Sequence, residues 1–226
     1  MFSFPFLLLC LGQTYFQYLF FYQGLQLSGA ALGALLTSIG SFWWMILAPL
    51  FLKSKWPEAK NWIGLLISIV GISISLFSPG AGSNNLELGV LFFGLTSLCG
   101  AFGTLAIKPL SRIIEPRFMT AASLFIGGIL LTVTALFFEL ELDNFYKTSF
   151  LFILFYLAII SATGFTIWNQ LIEEFSIHRM AAYRFLIPLC GVIESALFIP
   201  DESIGIGIVV GGTCILFSLR FCAPKN

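Results

Sequence analysis

The chain has 226 residues and a formal net charge of zero, with 58% hydrophobic residues, 26 phenylalanines and only 10% charged side chains. A chain this apolar is excluded from folding as a water-solvated domain, so it belongs among integral membrane proteins. It carries no basic patch of the kind that binds nucleic acid, and its zero net charge says nothing about partners, because the charge asymmetry lies between two faces of a membrane.

A helix crossing a hydrocarbon layer about 30 Å thick needs about 20 apolar residues. Eight such runs are predicted, at residues 4–25, 30–52, 61–78, 86–107, 118–138, 149–171, 180–199 and 204–221. Each is bounded by punctuating residues: Ser28-Gly29, Lys53 to Pro57, Ser78 to Asn85, Lys108-Pro109, Glu139 to Lys147, Glu173 to Arg179, and Pro200-Asp201-Glu202. Unpaired backbone groups are costly in lipid, and these runs are too long and too little alternating for barrel strands, which leaves helices. The first run has no basic leading segment and no small-residue cleavage site, so it reads as a span and not as a secretory signal. The expected fold class is therefore an all-α polytopic membrane protein with about eight transmembrane helices.

The basic residues orient this bundle. Lys53, Lys55, Lys60, Lys108, Arg112, Arg117, Arg179, Arg184, Arg220 and Lys225 fall on one side of an eight-span arrangement, and Lys147 falls on the other with Glu87, Glu139, Glu141, Asp143, Asp201 and Glu202. Short loops rich in Lys and Arg stay cytoplasmic, so the chain is expected in the cytoplasmic membrane with both termini on the cytoplasmic side. Cys10, Cys99, Cys190, Cys214 and Cys222 lie in or at the ends of spans without metal-type spacing, and read as small packing residues.

Two blocks of the sequence resemble each other. Ala30 to Leu76 and Met180 to Leu219 each consist of a long span, a short polar break and a Gly-rich span, with Gly64 and Gly71 in the first and Gly207, Gly211 and Gly212 in the second. They are five spans apart, so they run in opposite directions, and their breaks are basic and acidic respectively. An inverted repeat of this kind places a substrate site near mid-membrane and lets one repeat move against the other.

The stretch Ala181 to Glu202 followed by Gly211 resembles the end of an EamA domain of the drug/metabolite transporter superfamily, in which a Pro-containing span runs into a turn and a Gly-rich last helix. Tyr18 to Gln26, Trp62 to Gly71 and Lys108-Pro109 resemble other parts of that domain. Members typically have ten spans in two five-helix repeats. The resemblance implies a 3 + 5 arrangement, with residues 1–78 a partial first repeat lacking two helices and residues 86–221 a complete second one. Lys55 replaces an acidic residue common in the first repeat, and Ile199 to Glu202 replaces the usual Leu-Gly-Glu. The implied function is secondary transport or export of a small polar metabolite, for example one resembling an amino acid, by alternating access. The alternative is a transport-incompetent scaffold of packed helices.

Polar residues within spans mark the candidate site, because they are costly in lipid. Thr163, Thr166, Asn169, Gln170 and Glu173 recur at helical spacing with Trp168 nearby, and form either a cavity wall or interhelical glue. Gln13 and Gln17 point the same way from the first span, and Trp43 and Trp44 lie mid-span, where they either stack on a metabolite or pack. In the seventh span Arg184 either snorkels to the cytoplasmic face or meets a substrate carboxylate. Pro188 frees a carbonyl and is expected to kink that helix. Glu194, a mid-span charge, is expected to turn inward as a coupling or substrate-amine group, or to serve helix packing or a dimer interface. Pairs such as Gly29/Gly33 and Gly207/Gly211 permit close crossings and association of two copies. His178 reads as a solvated loop residue. No nucleophile–base pair, metal cluster or phosphate-binding loop is present in the sequence, so neither an enzyme nor a bound cofactor is expected.

Overall fold

A computed structural model describes residues 4–77, 85–137, 148–175, 180, 184, 186–199 and 205–222. The predicted connections 78–84, 138–147, 176–179 and 200–204, with Lys147, His178, Arg179, Asp201 and Glu202, lie outside the described residues. Among the described residues the secondary structure is helical without strands.

Among the described residues six helices are long and apolar enough to cross a membrane: α1 (Phe4–Ser28), α2 (Ala30–Leu52), α3 (Ala59–Leu76), α4 (Leu86–Leu110), α5 (Pro116–Ala135) and α6 (Thr148–Glu174). Two shorter apolar helices follow, α7 (Leu186–Phe198) and α8 (Ile206–Cys222). Each of the eight predicted runs thus holds a helix, and the protein is an all-α polytopic membrane protein. Residues 151–160 of α6 are exposed all round, including Leu151, Phe152, Ile153, Leu154 and Phe155. A continuous apolar band of this kind is stable against hydrocarbon and not against water.

Two helices depart from regular geometry. Residues Cys10–Phe16 of α1 form a π-helical segment, and α2 is interrupted at Thr37 and Ser38 by tight turns in which Ser38 N donates to Leu35 O and Gly40 N donates to Thr37 O. Wide π turns and tight three-residue turns both re-aim side chains locally.

Like parts of the two sequence blocks pack on each other. The first half of α2 lies against α7, and α3 lies along α8. The α3–α8 crossing brings backbones together: a Cβ on Gly71 would lie 2.8 Å from Gly211 O, and one on Gly211 would lie 2.5 Å from Gly71 O. Close approach lets hydroxyls bond across the seam, Ser68 Oγ to Ser218 Oγ at 2.8 Å and Ser75 Oγ to Gly207 O at 3.0 Å.

The interior divides into two apolar layers. Leu9, Trp44, Ala48, Leu105, Ile107 and Ile172 belong to one, beside the basic ends of α2 and α4. Leu32, Leu35, Ile72, Phe93, Ile208 and Ile215 belong to the other. Between them lie Gln13 and Gln17 along α1 and Gly100 along α4.

Candidate functional site

At this level α1 and α4 come into backbone contact. A Cβ on Gly103 would lie 2.5 Å from Gln13 N, and one on Gly12 would lie 2.8 Å from Cys99 O. The wide turn of α1 coincides with this crossing and buries Gln13, which is 2% exposed. Its Nε2 donates to Asn169 Oδ1 at 3.0 Å, and Asn169 Nδ2 donates to Thr120 Oγ1 at 2.9 Å. One buried chain of polar groups therefore joins α1, α6 and α5. Next to it Thr14 and Ser123 form a second buried polar contact between α1 and α5, with their hydroxyl oxygens 2.6 Å apart.

Beside this chain lies a cavity of about 340 Å³. Gln13, Gln17, Tyr18, Thr104, Ser161 and Arg184 supply its polar wall. Ile160, Phe165, Trp168 and Ile187 supply its apolar wall, and Gly100 and Gly164 complete it. Gly100 makes room for the Gln17 amide, since a Cβ there would lie 2.5 Å from Gln17 Oε1. The Tyr18 hydroxyl is 3.5 Å from Ser161 Oγ across the gap between α1 and α6. Such a volume is at the small end of ligand sites.

Among the described residues, Arg184 is the one charged residue in this lining. It points inward instead of snorkelling: its Cζ lies 4.8 Å from the centroid of the Trp44 ring, and Gly40 of α2 leaves the space its guanidinium fills. Trp44 is 1% exposed and stands 5.6 Å, centroid to centroid, from Trp168. Its indole N–H, like that of Trp43, is buried without a hydrogen-bond partner among the described residues. Trp43 packs edge-on against Phe42, outside the cavity lining.

Two expectations require correction. The polar stripe of α6 does not face the cavity as a unit. The inner face of α6 carries Ser161, Gly164, Phe165 and Trp168, whereas Thr166 and Gln170 lie outside the lining and Thr163 and Glu173 are exposed. Thr166 satisfies its own hydroxyl on Ala162 O at 2.7 Å, so it needs no polar neighbour. Pro188 lies near the described start of α7, just after a turn at Arg184 in which Ile187 N donates to Arg184 O at 3.1 Å, the carbonyl that a proline at 188 leaves free. Glu194 is exposed near the end of α7, beside a separate shallow cavity with Ala30, Gly191 and Ser195. A side chain one turn from a helix end reaches the interface without entering the protein.

Asn169 and Thr166 consequently separate by experiment. Asn169→Leu strands the buried Gln13 amide and should cost about 1–2 kcal/mol, lowering the thermal unfolding midpoint by a few degrees. Thr166→Val should leave it within error. Equal effects would show that Asn169 is no more embedded than its neighbour.

Tyr18, Gly100, Thr104, Ser161 and Phe165 were not singled out from the sequence. The usable signal was the run Gly100, Gly103 on α4 facing Gly12 on α1, which marks a close crossing. A second cavity of about 740 Å³ opens at the basic end, with Lys53, Lys108, Arg112, Glu173 and Glu174 in its lining. There Lys108 Nζ donates to Glu173 O at 2.8 Å and closes the C-terminus of α6.

A multi-pass helical membrane protein with a small polar cavity between two apolar layers is the class that fold and site define. The chain belongs to the EamA-like transporter family, which it matches over residues 87–222. It is also 25% identical over 168 residues to a protein of Bacillus subtilis (strain 168) named as the uncharacterized transporter YvbV, an alignment covering 73% of this chain and 53% of that protein. The chain thus spans about half the length of this curated relative. The family match begins in α4, so it includes Thr104, Ser161, Trp168 and Arg184 and leaves Gln13, Gln17 and Trp44 outside.

Proposed function

We propose that the protein acts as a secondary transporter, moving a small polar metabolite across the cytoplasmic membrane by alternating access. The observation that carries this reading is the cavity itself. Gln13, Gln17, Thr104, Ser161 and Arg184 converge in the middle of an otherwise apolar bundle, where uncompensated polar groups are costly and are retained for a solute or a helix contact. Gln13 has its helix contact in Asn169; Gln17 and Arg184 face the space.

The packing of α2 on α7 and of α3 on α8 supports an inverted-repeat arrangement, because a two-fold axis in the membrane plane pairs equivalent helices. Motion of one repeat against the other would open the cavity alternately to each side. The wider basic cavity at the ends of α2, α4 and α6 would then form the cytoplasmic mouth.

The test is counterflow in proteoliposomes containing the full chain, across a panel of amino acids, organic acids and neutral metabolites. At least one solute should exchange, and Gln17→Leu should slow it. No exchange by protein verified as folded would favour a scaffold of packed helices. Orientation is tested separately: fluorescent-protein fusions at both ends should fluoresce and alkaline phosphatase fusions should be silent, as cytoplasmic termini require. An active phosphatase at either end would overturn that orientation.

A further inference from the structure

We infer that the Arg184 cavity selects a small organic monoanion, a carboxylate with an apolar or aromatic body and no ammonium group. This rests on the transporter reading for its route, and narrows that reading by excluding zwitterions.

The inference starts from charge balance. Arg184 lies against Trp44 and Gly40 inside the bundle, and among the described residues no carboxylate forms an ion pair with it. Taking an unpaired guanidinium out of water is unfavourable unless a partner of opposite charge is supplied. The Trp44 ring offsets part of this through its π face, but it offers no oxygen to the five guanidinium N–H donors. A carboxylate accepts two of those N–H bonds side by side, which is the geometry a guanidinium fork fits best. The uncompensated charge is thus a standing preference for an anion.

The rest of the lining excludes a second charge of either sign. It contains no Asp or Glu among the described residues, so an ammonium group would enter without a counter-charge. Its other polar groups among the described residues are neutral, the amides of Gln13 and Gln17 and the hydroxyls of Tyr18, Thr104 and Ser161. Glu194, which could have matched an amine, belongs to a different cavity. With one guanidinium and no further cation in the lining among the described residues, a second negative charge would be equally unmatched. The 340 Å³ volume limits size, and Phe165, Trp168, Ile160 and Ile187 offer the body an apolar wall.

The experiment compares four ligands with one ring: benzoate, benzamide, benzylamine and L-phenylalanine. Each is titrated calorimetrically into the full chain in lipid nanodiscs. Benzoate should bind at least roughly tenfold more tightly than the other three, since only it makes the charge-assisted pair without stranding an amine. Arg184→Gln should abolish the preference, and Arg184→Lys should keep part of it, retaining the charge without the fork. Should Arg184→Gln fail to fold, Gln17→Glu decides: a carboxylate added to the same lining should neutralise Arg184 internally and erase the benzoate preference.

The inference is overturned if folded protein does not bind benzoate, if benzamide or phenylalanine binds as tightly, or if the preference persists in Arg184→Gln or, where that variant does not fold, in Gln17→Glu. Its failure is separable from that of the transport reading. Arg184-dependent benzoate binding without counterflow of any anion would sink transport and leave the anion site standing. Counterflow of an amine or amide at an undiminished rate in Arg184→Gln would do the reverse.

Discussion

Gly103→Leu is expected to be the most destabilising single substitution at the α1–α4 crossing. Its added side chain meets the backbone of Gln13, whose N lies 2.5 Å and Cα 2.8 Å from where a Cβ would stand. Backbone cannot rotate away as a side-chain tip can, so the two helices must separate. Overpacking costs about 1–3 kcal/mol when neighbours can partly adjust, and this site should be at or above the upper end. For a chain of this size about 2–4 °C of unfolding midpoint accompany each kcal/mol, so a fall of roughly 6–12 °C is expected. Gly94 provides the internal control. It is on the same helix and has nothing within 4 Å of its Cβ position. Gly94→Leu should therefore leave the midpoint near wild type. Equal losses at the two positions would mean that helix propensity or expression, and not the crossing, governs the effect. Because the same crossing positions Gln13 against Asn169, Gly103→Leu should also weaken any ligand binding in the molecules that do fold.

How far the sequence could be read depended on which physical signal each feature leaves in it. Span length and apolar composition are local properties, and the eight helices follow them closely; the observed ends of α1 and α4 differ from the expected ends by only a few residues at most. The two Gly-bearing blocks were legible as a repeat, because small residues are conspicuous in a chain rich in Phe and Leu, but the packing of α2 on α7 and of α3 on α8 was not read from them, since it is a long-range contact. Facing direction was harder to read. Thr163, Thr166 and Gln170 share a helical face with one another, yet that face is turned away from Gln17, and only the long-range packing of α6 on α4 and α5 decides this. Threonine is uninformative there because it can bond its own helix, as Thr166 does on Ala162 O. Arginine was uninformative for the opposite reason. Its long stem reaches either the interface or the interior from one backbone position, and the deciding partner, Gly40, is 144 residues away in the chain. The π segment at Cys10–Phe16 leaves no compositional mark at all; it follows from fitting Gly12 against Cys99 and Gly103.

That distant glycine gives the most specific expectation for the site. A methyl group at position 40 would lie 2.5 Å from Arg184 Nη2 and 2.6 Å from Cζ. The obstructed atoms are the far end of a flexible side chain, so Gly40→Ala should preserve the fold, and its unfolding midpoint should stay within a few degrees of wild type. The guanidinium, however, must leave its seat between Gly40 and the Trp44 ring. Displacing it removes the cation–π contact and moves the fork relative to Gln17 and Tyr18. Arg184-dependent benzoate binding should weaken by roughly tenfold, the scale of one charge-assisted hydrogen bond. The sharper reading comes from combining the changes. If Gly40→Ala acts only through Arg184, the double variant Gly40→Ala/Arg184→Gln should bind no worse than Arg184→Gln alone, a full departure from additivity between residues in contact. Additive losses would show that Gly40 acts instead through the break in α2 at Thr37 and Ser38, and would detach the α2 distortion from the placement of the charge. Gly128→Ala, on α5 with open space at its Cβ position, should affect neither binding nor the cycle.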